Sequence, residues 1–305
     1  MMKIVKLKNL KKQKIPTVVT VGIFDGVHTG HKKIFAELVS QAKKFKAISV
    51  VLTFDPHPEK VLKGKKSIAM LSSLKHRLSL LSASGIDLCV VVRFNKKFAQ
   101  KDTEIFIKNI LIKKLNMKKL VVGGSFSFGS DNTHTILSLK DIAKEIGFDL
   151  KFVNPKKHNK HIISSSIIRV LIEKGKLQKA SRLLGRPVSV LGVVVHGRKR
   201  GRILGFKTAN INPHHEAIPP SGVYASYTVI NKKMYKSVLN IGRRPTFAGK
   251  DPSVEVHIFG INKNLYGKDI EVYFAKRLRS EKKFKTISQL RVQILKDAVA
   301  AKTIL

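Results

Sequence analysis

The spacing of apolar residues changes once along this chain, and the change divides it into two parts. In the first part, short apolar runs predict buried strands at residues 18–24, 48–54, 88–94 and 120–122. Between these runs, apolar residues at helical spacing predict helices at residues 30–45, 74–84, 104–115 and 138–146. Strands that alternate with helices predict β-α-β units around a parallel sheet, and therefore an α/β domain.

The second part has a different pattern. Two short helices are predicted at residues 166–173 and 177–184, and Gly185-Arg186-Pro187 ends them. Beyond this turn, segments rich in Val, Ile and Tyr predict strands at residues 188–195, 223–230, 235–241, 254–259 and 270–274, followed by a helix at 287–300. The pattern predicts a small antiparallel β-barrel with a C-terminal helix, so we expect domains at residues 1–185 and 186–305.

The composition supports two ordinary domains that each bury a core. The chain has 305 residues, 43% of them hydrophobic, and a formal net charge of +41 from 47 Lys and 13 Arg against 19 acidic residues. The cations are spread along the whole chain and are not interleaved with aromatic pairs. We therefore expect a lysine-rich surface that attracts small anions such as nucleotides, and no specific nucleic-acid partner.

The single cysteine, Cys89, lies in an apolar run and has no partner for an intrachain disulfide or a thiolate metal cluster. This predicts a reducing, cytoplasmic location. No segment approaches the roughly 20 apolar residues that cross a bilayer, and the N-terminus lacks a signal-peptide pattern, so no membrane association is expected. A homo-oligomer is compatible with the sequence.

The first candidate site follows the first predicted strand, in the sequence GIFDGVHTGH at residues 22–31. A glycine-containing strand-loop-helix junction brings backbone amides and a helix N-terminus to an anion, and His28 and His31 add imidazole N–H groups. These features favour a site that holds a polyphosphate and stabilises developing charge. The alternatives are ordinary turn residues or a zinc pair, but no third ligand stands at a supporting spacing for zinc.

A second phosphate element is predicted at residues 163–169, with the sequence ISSSIIR. Ser164 and Ser165 crowd a helix start, and Arg169 lies one turn inside it, where a guanidinium can fork across phosphate oxygens. The alternative is that the serines are simple helix N-caps.

The second candidate site lies in the predicted barrel, in the glycine-punctuated basic segment at residues 197–211. An extended backbone there places Thr208 and Asn210 on one face, where their oxygens suit Mg²⁺ carried by ATP. In the strand at residues 253–258, the same alternation separates Glu255 from its apolar neighbours. Glu255 is either a general base for a substrate hydroxyl or an exposed strand charge.

These motifs resemble two enzyme families. Residues 22–31 and 163–169 are similar to the G-x-F-D-G-V-H-x-G-H and I-S-S-T-x-I-R patterns of the bacterial FAD synthetases, and TFDPHP at residues 53–58 is similar to their T-F-x-P-H-P segment. Residues 192–284 resemble the riboflavin kinases, through LGFKTAN at 204–210, GVYA at 222–225, NIGRRPT at 240–246, VEVH at 254–257 and LYGK at 265–268. The combination is identified as a member of the bifunctional riboflavin kinase/FAD synthetase family.

The resemblance implies a Rossmann-like nucleotidyltransferase domain before a riboflavin kinase barrel. ATP and Mg²⁺ would phosphorylate riboflavin to FMN in the barrel, and a second ATP would adenylate FMN to FAD in the first domain, with FMN and FAD as substrate and product rather than prosthetic groups. The implied catalytic residues are Glu255, His28, His31 and Arg169.

The resemblance also implies three sets of binding residues. The ATP of adenylyl transfer would contact Gly22, Phe24, Asp25, Gly26, His28, Gly30, His31, Ser164, Ser165 and Arg169. The ATP of the kinase would contact Gly197, Gly201, Gly205, Thr208 and Asn210, of which the last two also bind the metal. The flavin would contact Phe54, Pro56, Pro58, Phe126, Phe128, Arg279, Glu281 and Phe284.

Several positions depart from the family patterns. Ile23 replaces Asn, Ser166 replaces Thr and Lys207 replaces Pro, and the segment at residues 122–134 differs at Ser125, Asn132 and His134. A kinase with an impaired adenylyltransferase domain is therefore one alternative. The others are a nucleotidyltransferase for another coenzyme and a basic nucleic-acid-binding protein without catalysis.

Overall fold

The structure is a computed structural model that describes residues 1–62, 69–124, 136–159, 161–197, 205–214, 216–242 and 253–305. The chain forms two compact units. One contains Met1–Ile68 and Leu74–Ser165, and the other contains Ala69–Ser73 and Ser166–Leu305. The expected domain boundary at residues 185 and 186 stays a prediction.

The first unit is built on a six-stranded sheet. Its strands are β1 (Lys3–Lys6), β2 (Thr17–Val21), β3 (Ile48–Asp55), β4 (Leu88–Arg93), β5 (Met117–Gly123) and β6 (Asp149–Val153). They lie side by side in the order β1-β4-β3-β2-β5-β6, and every neighbouring pair is parallel. Because the strands are parallel, their carboxyl ends meet at one edge of the sheet, where α/β proteins form ligand sites.

Helices and short elements connect these strands. The helices are α1 (Thr29–Lys44), α2 (Pro58–Leu62), α3 (Leu74–Ser82), α4 (Lys96–Ala99), α5 (Thr103–Phe106), a π-helical segment (Ile107–Ile112) and α6 (Ile136–Ile146). A 3₁₀ turn at Leu7–Asn9 and a small antiparallel pair, β7 (Lys157–His158) and β8 (His161–Ile162), complete the unit.

Both faces of this sheet are buried. Along β4, Leu88, Val90 and Val92 belong to one apolar core, whereas Cys89 and Val91 belong to the other. A strand covered on both faces has no polar side, so it is continuously hydrophobic, and this explains why the sequence pattern identified the central strands.

The second unit contains a closed antiparallel barrel. Its strands are β9 (Ser189–Val195), β10 (Ala209–Asn212), β11 (Gly222–Ile230), β12 (Lys233–Gly242), β13 (Ser253–Ile258) and β14 (Asp269–Arg279), in the order β10-β13-β12-β11-β14-β9. The helices are α7 (Ser165–Glu173), α8 (Leu177–Leu184) and α9 (Ile287–Ile304). Helix α9 packs on the barrel through Ala301, which shares a core with Val223, Ala225 and Val238.

The predicted fold class is confirmed, with an α/β unit followed by a six-stranded barrel and a terminal helix. The sequence pattern missed β1 and β6, which are the two edge strands of the first sheet. Both contain lysine, a residue that commonly protects sheet edges, so neither has the hydrophobic pattern of the central strands. The first predicted strand is also shorter than expected and ends at Val21.

The second unit includes a segment from earlier in the chain, Ala69–Ser73. The Ala217 N–H donates to the Met70 carbonyl at 2.5 Å, and the buried carboxylate of Glu216 accepts from the Ser73 N–H at 2.6 Å and the Leu191 N–H at 3.2 Å. Glu216 thus joins this segment to β9. Nothing in the sequence pattern distinguished Glu216.

Among the helices that the structure describes, none has the length and apolar character needed to span a membrane.

Candidate functional site

The loop between β2 and α1 has an unusual backbone. Phe24, Gly26 and Val27 have φ values of 54°, 75° and 41°. Glycine adopts such angles readily, but a β-branched residue rarely does, so surrounding contacts must hold Val27 in place. The positive φ of Phe24 explains why the first strand ends early. Unusual backbone angles of this kind concentrate at functional sites.

His28 and His31 lie together at the start of α1. The rings are stacked, with centroids 3.5 Å apart and an interplanar angle of 20°. His28 is the N-cap of the helix, and its Nδ1 accepts the His31 backbone N–H at 3.3 Å. A neutral His28 that accepts at Nδ1 carries its proton on Nε2, so this contact orients the ring and selects its tautomer.

The environment of His31 disfavours its charged form. Burial lowers the pKa of His31 well below its ordinary value of 6.5, and the neighbouring His28 and Arg77 lower it further. The buried Nδ1 of His31 has no hydrogen-bond partner among the residues that the structure describes. His31 is therefore a neutral imidazole near pH 7.

Gly22 and Gly30 have no side chains, which leaves room for the rings of Phe24 and His28. A Cβ on Gly30 would lie 3.1 Å from Cε1 and Nδ1 of His28, and a Cβ on Gly22 would lie 2.8 Å from the Phe24 ring. The Phe24 ring is buried and meets His31 edge-on, with centroids 5.3 Å apart. Gly22, Phe24 and Gly30 thus shape the packing around the two histidines.

The structure joins the two segments that were predicted to bind phosphate in the first domain. The Ser165 hydroxyl donates to the Asp25 carbonyl at 2.9 Å, across 140 residues of sequence. Ser165 begins α7, and Asp25 is buried in the loop after β2. The bond places Ser165 beside the glycine loop within the first unit, and the shared anion site stays a prediction.

Arg169 belongs to the second unit, on α7. Its side chain is buried, and its Nε donates to the Ala69 carbonyl at 2.6 Å. Its assignment to the ATP of adenylyl transfer stays a prediction.

One charged residue near the first site was missed by the sequence analysis. Arg77, on α3, is only 2% exposed, and its Nη1 and Nη2 donate to the carbonyls of Ile23 and Phe54 at 2.8 and 2.9 Å. Burial lowers the pKa of Arg77, while Asp25 and Asp55 raise it. The helix sequence LKHRLSLLS has polar residues around this position, so nothing in it indicated that Arg77 is buried.

The candidate flavin residues of the first domain are only partly described. Phe54, at the end of β3, is buried beside Phe94 and Phe98, with ring centroids 5.8 and 5.9 Å away. Pro56 follows Asp55 through a cis peptide bond, and Pro58 begins α2. Phe126 and Phe128 lie outside the described residues, as do the substituted positions Ser125, Asn132 and His134.

In the second unit, three polar residues face one another across neighbouring strands. Glu255 on β13 lies directly opposite Asn210 on β10 and Asn240 on β12. Side chains at directly opposed positions point to the same face of a sheet, with Cβ atoms about 5 Å apart. The barrel therefore brings the predicted base next to one of the predicted metal ligands.

A cavity of about 340 Å³ lies beside this row and is lined by Gly197, Lys207, Thr208, Asn210 and residues 261–266, among others. The Thr208 hydroxyl and the Asn210 side-chain carbonyl are hard oxygen donors, which suit Mg²⁺. A Cβ on Gly197 would overlap the Asn210 side-chain amide, so a larger residue there would displace Asn210. Gly205 has a φ of 82°, and Gly201 lies outside the described residues.

Lys207, which replaces a proline of the family pattern, connects two walls of this cavity. Its Nζ donates to the Asn262 side-chain oxygen at 2.5 Å. Its backbone carbonyl lies 2.8 Å from Nδ1 of His257, two positions along β13 from Glu255. The substitution thus places a cation at the cavity wall.

The remaining flavin candidates lie near the end of β14. Arg279 forms an ion pair with the buried Asp297 of α9, with Nη2 2.7 Å from Oδ2 and Nε 3.0 Å from both carboxylate oxygens. The guanidinium carbon lies 5.8 Å from the Phe284 ring centroid. The Glu281 carboxylate lies 3.0 Å from where a Cβ on Gly242 would be, at the end of β12. Contact of these residues with a flavin stays a prediction.

No group of three or more His, Cys, Asp or Glu side chains in the described part of the chain is arranged to hold a metal ion. The hydroxyl and amide oxygens of Thr208 and Asn210 are a different kind of donor set.

Comparison with known proteins assigns both units. The FAD synthetase family matches residues 10–167, and the riboflavin kinase family matches residues 184–305. A bifunctional riboflavin kinase/FMN adenylyltransferase of Buchnera aphidicola from Schizaphis graminum is 37% identical over 97% of this chain and 96% of its own length. Proteins with the same description from Escherichia coli K12 and Bacillus subtilis 168 are 35% and 36% identical, over 93% and 94% of this chain and 91% and 92% of theirs.

A crystal structure titled as a macrolide-efflux protein from Streptococcus pneumoniae matches 99% of both chains with a TM-score of 0.84 and 30% identity. It supports the arrangement of secondary structure within the units described above. The two family matches and the near full-length relatives lead to one conclusion: this chain belongs to the family of bifunctional riboflavin kinase/FMN adenylyltransferases.

Proposed function

We propose that this chain makes flavin cofactors in two steps, phosphorylating riboflavin to FMN and then adenylating FMN to FAD. The observation that carries the proposal is that each unit gathers the residues its step requires. Asn210, which lines the barrel cavity, lies opposite Glu255 on the neighbouring strand, and the Ser165 hydroxyl bonds the Asp25 carbonyl of the glycine loop within the α/β unit. The relatives with both activities in their names support the same assignment.

In the kinase step, the ribityl 5′-hydroxyl of riboflavin attacks the γ-phosphorus of ATP. The hydroxyl proton passes to the Glu255 carboxylate, a P–O bond forms to the ribityl oxygen, and ADP leaves. Thr208 and Asn210 would hold Mg²⁺, which neutralises phosphate charge when it is bound with ATP. The glycines at residues 197 and 205 and the Lys207 ammonium bind and orient the phosphate chain.

In the adenylyl transfer step, a phosphate oxygen of FMN attacks the α-phosphorus of a second ATP, and pyrophosphate leaves. FMN supplies its own nucleophile, so the protein's task is to position the reactants and stabilise charge. We assign this task in the first unit to the imidazole N–H groups of His28 and His31 and the hydroxyls of Ser164 and Ser165. His31 acts here as a neutral donor, because burial disfavours its charged form.

We also propose that the enzyme works in the cytoplasm. Its one cysteine is buried, and burial raises the pKa of the Cys89 thiol to about 12, so this thiol is suited to packing rather than to redox chemistry. The substrates ATP and riboflavin follow from the proposed reactions, and no specific nucleic-acid partner is expected, because the cations are spread along the whole chain. A homo-oligomer stays a prediction.

The test is to separate the products formed by the full chain. The protein is incubated with ATP and Mg²⁺, in one arm with riboflavin and in the other with FMN, and the flavins are separated by reverse-phase chromatography. We expect FMN and then FAD in the first arm, and FAD with pyrophosphate in the second. FMN without FAD would contradict the adenylyltransferase step, and neither product would contradict the whole proposal.

A further inference from the structure

Arg77 is a buried charge without a place in the reactions described above. At 2% exposed, it heads the large, almost fully buried side chains in the described part of the chain. Burying a guanidinium costs free energy unless hydrogen bonds and opposite charges compensate. An uncharged side chain would avoid that cost, so the presence of a charge at this position needs an explanation.

The guanidinium connects the ends of two neighbouring strands. Nη1 donates to the Ile23 carbonyl just after β2, and Nη2 donates to the Phe54 carbonyl near the end of β3. The Thr53 hydroxyl donates to the same Ile23 carbonyl at 3.0 Å. Because the guanidinium is planar and rigid, the two bonds fix the separation and orientation of both carbonyls.

Each of these carbonyls begins a segment assigned to a different substrate. Ile23 lies in the loop that leads to His28 and His31, which we assign to ATP, and Phe54 begins the turn to Pro58, which we assign to the flavin. One side chain from α3 therefore contacts both segments, beside the Thr53 hydroxyl and the pairing of β2 with β3. The rate of transfer between two bound reactants depends steeply on such placement.

The charge of Arg77 also affects the pKa of His31, one of the two stacked histidines. Asp25, in the loop, and Asp55, at the end of β3, are the carboxylates that interact with Arg77. Arg77 and His28 both lower the pKa of His31, after the larger effect of burial. Cys89 of β4 also interacts with Arg77 but carries no charge near neutral pH, since burial raises its pKa to about 12.

We propose that Arg77 is a positioning residue for adenylyl transfer, which holds the loop at residues 22–31 against the turn at residues 54–58. The inference rests on the adenylyltransferase function proposed for the first unit. It assigns Arg77 to the rate of the transfer step rather than to substrate affinity, since Arg77 acts through the two carbonyls and not on a substrate.

The test compares two substitutions with a matched control. Arg77→Lys keeps the charge but loses the planar fork, and Arg77→Met loses both. Lys75→Met removes a charge from the exposed side of the same helix. For each variant, the initial rate of FAD formation from FMN and ATP is measured beside riboflavin phosphorylation by the same preparation, which reports on the second unit.

We expect Arg77→Lys to lower kcat for FAD formation by about tenfold to a hundredfold, with KM values for ATP and FMN changed less than threefold. Arg77→Met should lower it further, and Lys75→Met should have no effect. Riboflavin phosphorylation should stay at the native rate in all three. The rates are expressed per folded molecule, with the folded fraction taken from circular dichroism and thermal unfolding.

A second readout tests whether the Arg77 charge acts on His31 in the folded protein. His31 is titrated by NMR in the folded protein, its resonance being assigned with a His31→Gln variant. We expect the His31 pKa to rise in Arg77→Met and to stay near the native value in Arg77→Lys. A structural role alone would lower activity only in proportion to the folded fraction and leave kcat per folded molecule unchanged.

The outcomes distinguish the two proposals. If the native chain forms no FAD, the proposed function of the first unit is wrong and the inference fails with it. If the native chain forms FAD and Arg77→Lys forms it at the native rate per folded molecule, the inference alone is wrong.

Discussion

The two sites of this protein are built in opposite ways. The barrel site stands on regular strands, where Asn210, Glu255 and Asn240 are brought together by ladder pairing. The α/β site stands on a loop with positive φ at Phe24, Gly26 and Val27, supported by buried side chains and by a bond between residues 140 positions apart. This difference indicates which substitutions should affect each site. The barrel site should respond to changes of its own side chains, and the α/β site also to changes in the packing around it.

The sharpest test of this contrast is Glu255→Gln. Glutamine keeps the size and the strand but cannot accept the proton, so we expect riboflavin phosphorylation to fall by about 10²- to 10⁴-fold. FAD formation from FMN and the thermal unfolding of the chain should not change. Both activities are followed by chromatography of the flavins.

The control for this substitution is Glu271→Gln, which changes a carboxylate on β14 that bonds Ser189 instead of facing Asn210. We expect nearly native phosphorylation from it. Equal losses in the two variants would mean that Glu255 acts through barrel stability and not as a base.

The next largest effect is expected for Gly30→Ala, which crowds the ring of His28. The added methyl would lie 3.1 Å from two of its ring atoms, so the imidazole must move by a few tenths of an ångström. We expect FAD formation from FMN to fall roughly tenfold, because small displacements in a positioned site are costly. Riboflavin phosphorylation should be native.

Gly30 lies in the first turn of α1, where alanine is a better helix former than glycine, so unfolding stability should change by less than about 1 kcal/mol. Ser40→Ala, on an exposed position of the same helix, is the matched control and should leave both activities unchanged. A native rate of FAD formation in Gly30→Ala would contradict the importance of the His28 position.

The third expectation concerns pH. The folded-state pKa of His31 lies below its ordinary value of 6.5, so the unfolded chain takes up this proton first as the pH falls. The stability that neutral His31 contributes is therefore fully present above about pH 6.5 and is lost as the pH falls below it. For one such group the loss is at most about 1.4 kcal/mol per pH unit.

Calorimetric unfolding of the native chain and of His31→Gln, between pH 5 and 8, measures this contribution. We expect the stability difference between the two proteins to change with pH below 6.5 and to be constant above it. Parallel pH profiles would show that His31 is not kept neutral by the fold.

The smallest effect is expected for Lys207→Met. The Lys207 ammonium stands at the wall of a partly open cavity, where solvent weakens its attraction for phosphate. We expect the KM for ATP in riboflavin phosphorylation to rise only a few-fold, and the rise to shrink at high salt. Lys276→Met, at an exposed position of β14, is the control that removes the same charge elsewhere on the barrel. An equal rise in the KM for ATP in both variants would mean that Lys207 acts only through the net positive charge of the protein.

Much of the fold could be predicted from the sequence because its signals are local. The central strands β2 to β5 are apolar on both faces, and α1 has one buried stripe, so each shows its structure in its own residues. The edge strands β1 and β6 were missed, since half-exposed strands with lysine lack that signal. The end of β2 at Val21 was also missed, because the positive φ of Phe24 is imposed by surrounding contacts.

The candidate sites also contain some residues that the sequence identified and others that it missed. The motifs at residues 22–31 and 204–210 are contiguous, so the sequence identified their chemistry and predicted Glu255 from strand alternation. Arg77 and Glu216 could not be found, because each acts on carbonyls or amides that are distant in sequence. Helical periodicity indicates only which side of a helix is buried, and it does not reveal which loops a buried charge will meet.

The sequence by itself determined the order of the central strands and the longer helices, the change from an α/β pattern to a barrel pattern, and the residue types available to bind phosphate. These depend on interactions between residues a few positions apart. Only the tertiary structure decided that His28 stacks on His31, that Ser165 bonds Asp25, that Arg77 joins the ends of β2 and β3, and that Glu255 lies opposite Asn210. Each of these contacts forms when the chain packs, because burial and strand pairing bring together groups whose distance in space the local sequence does not fix.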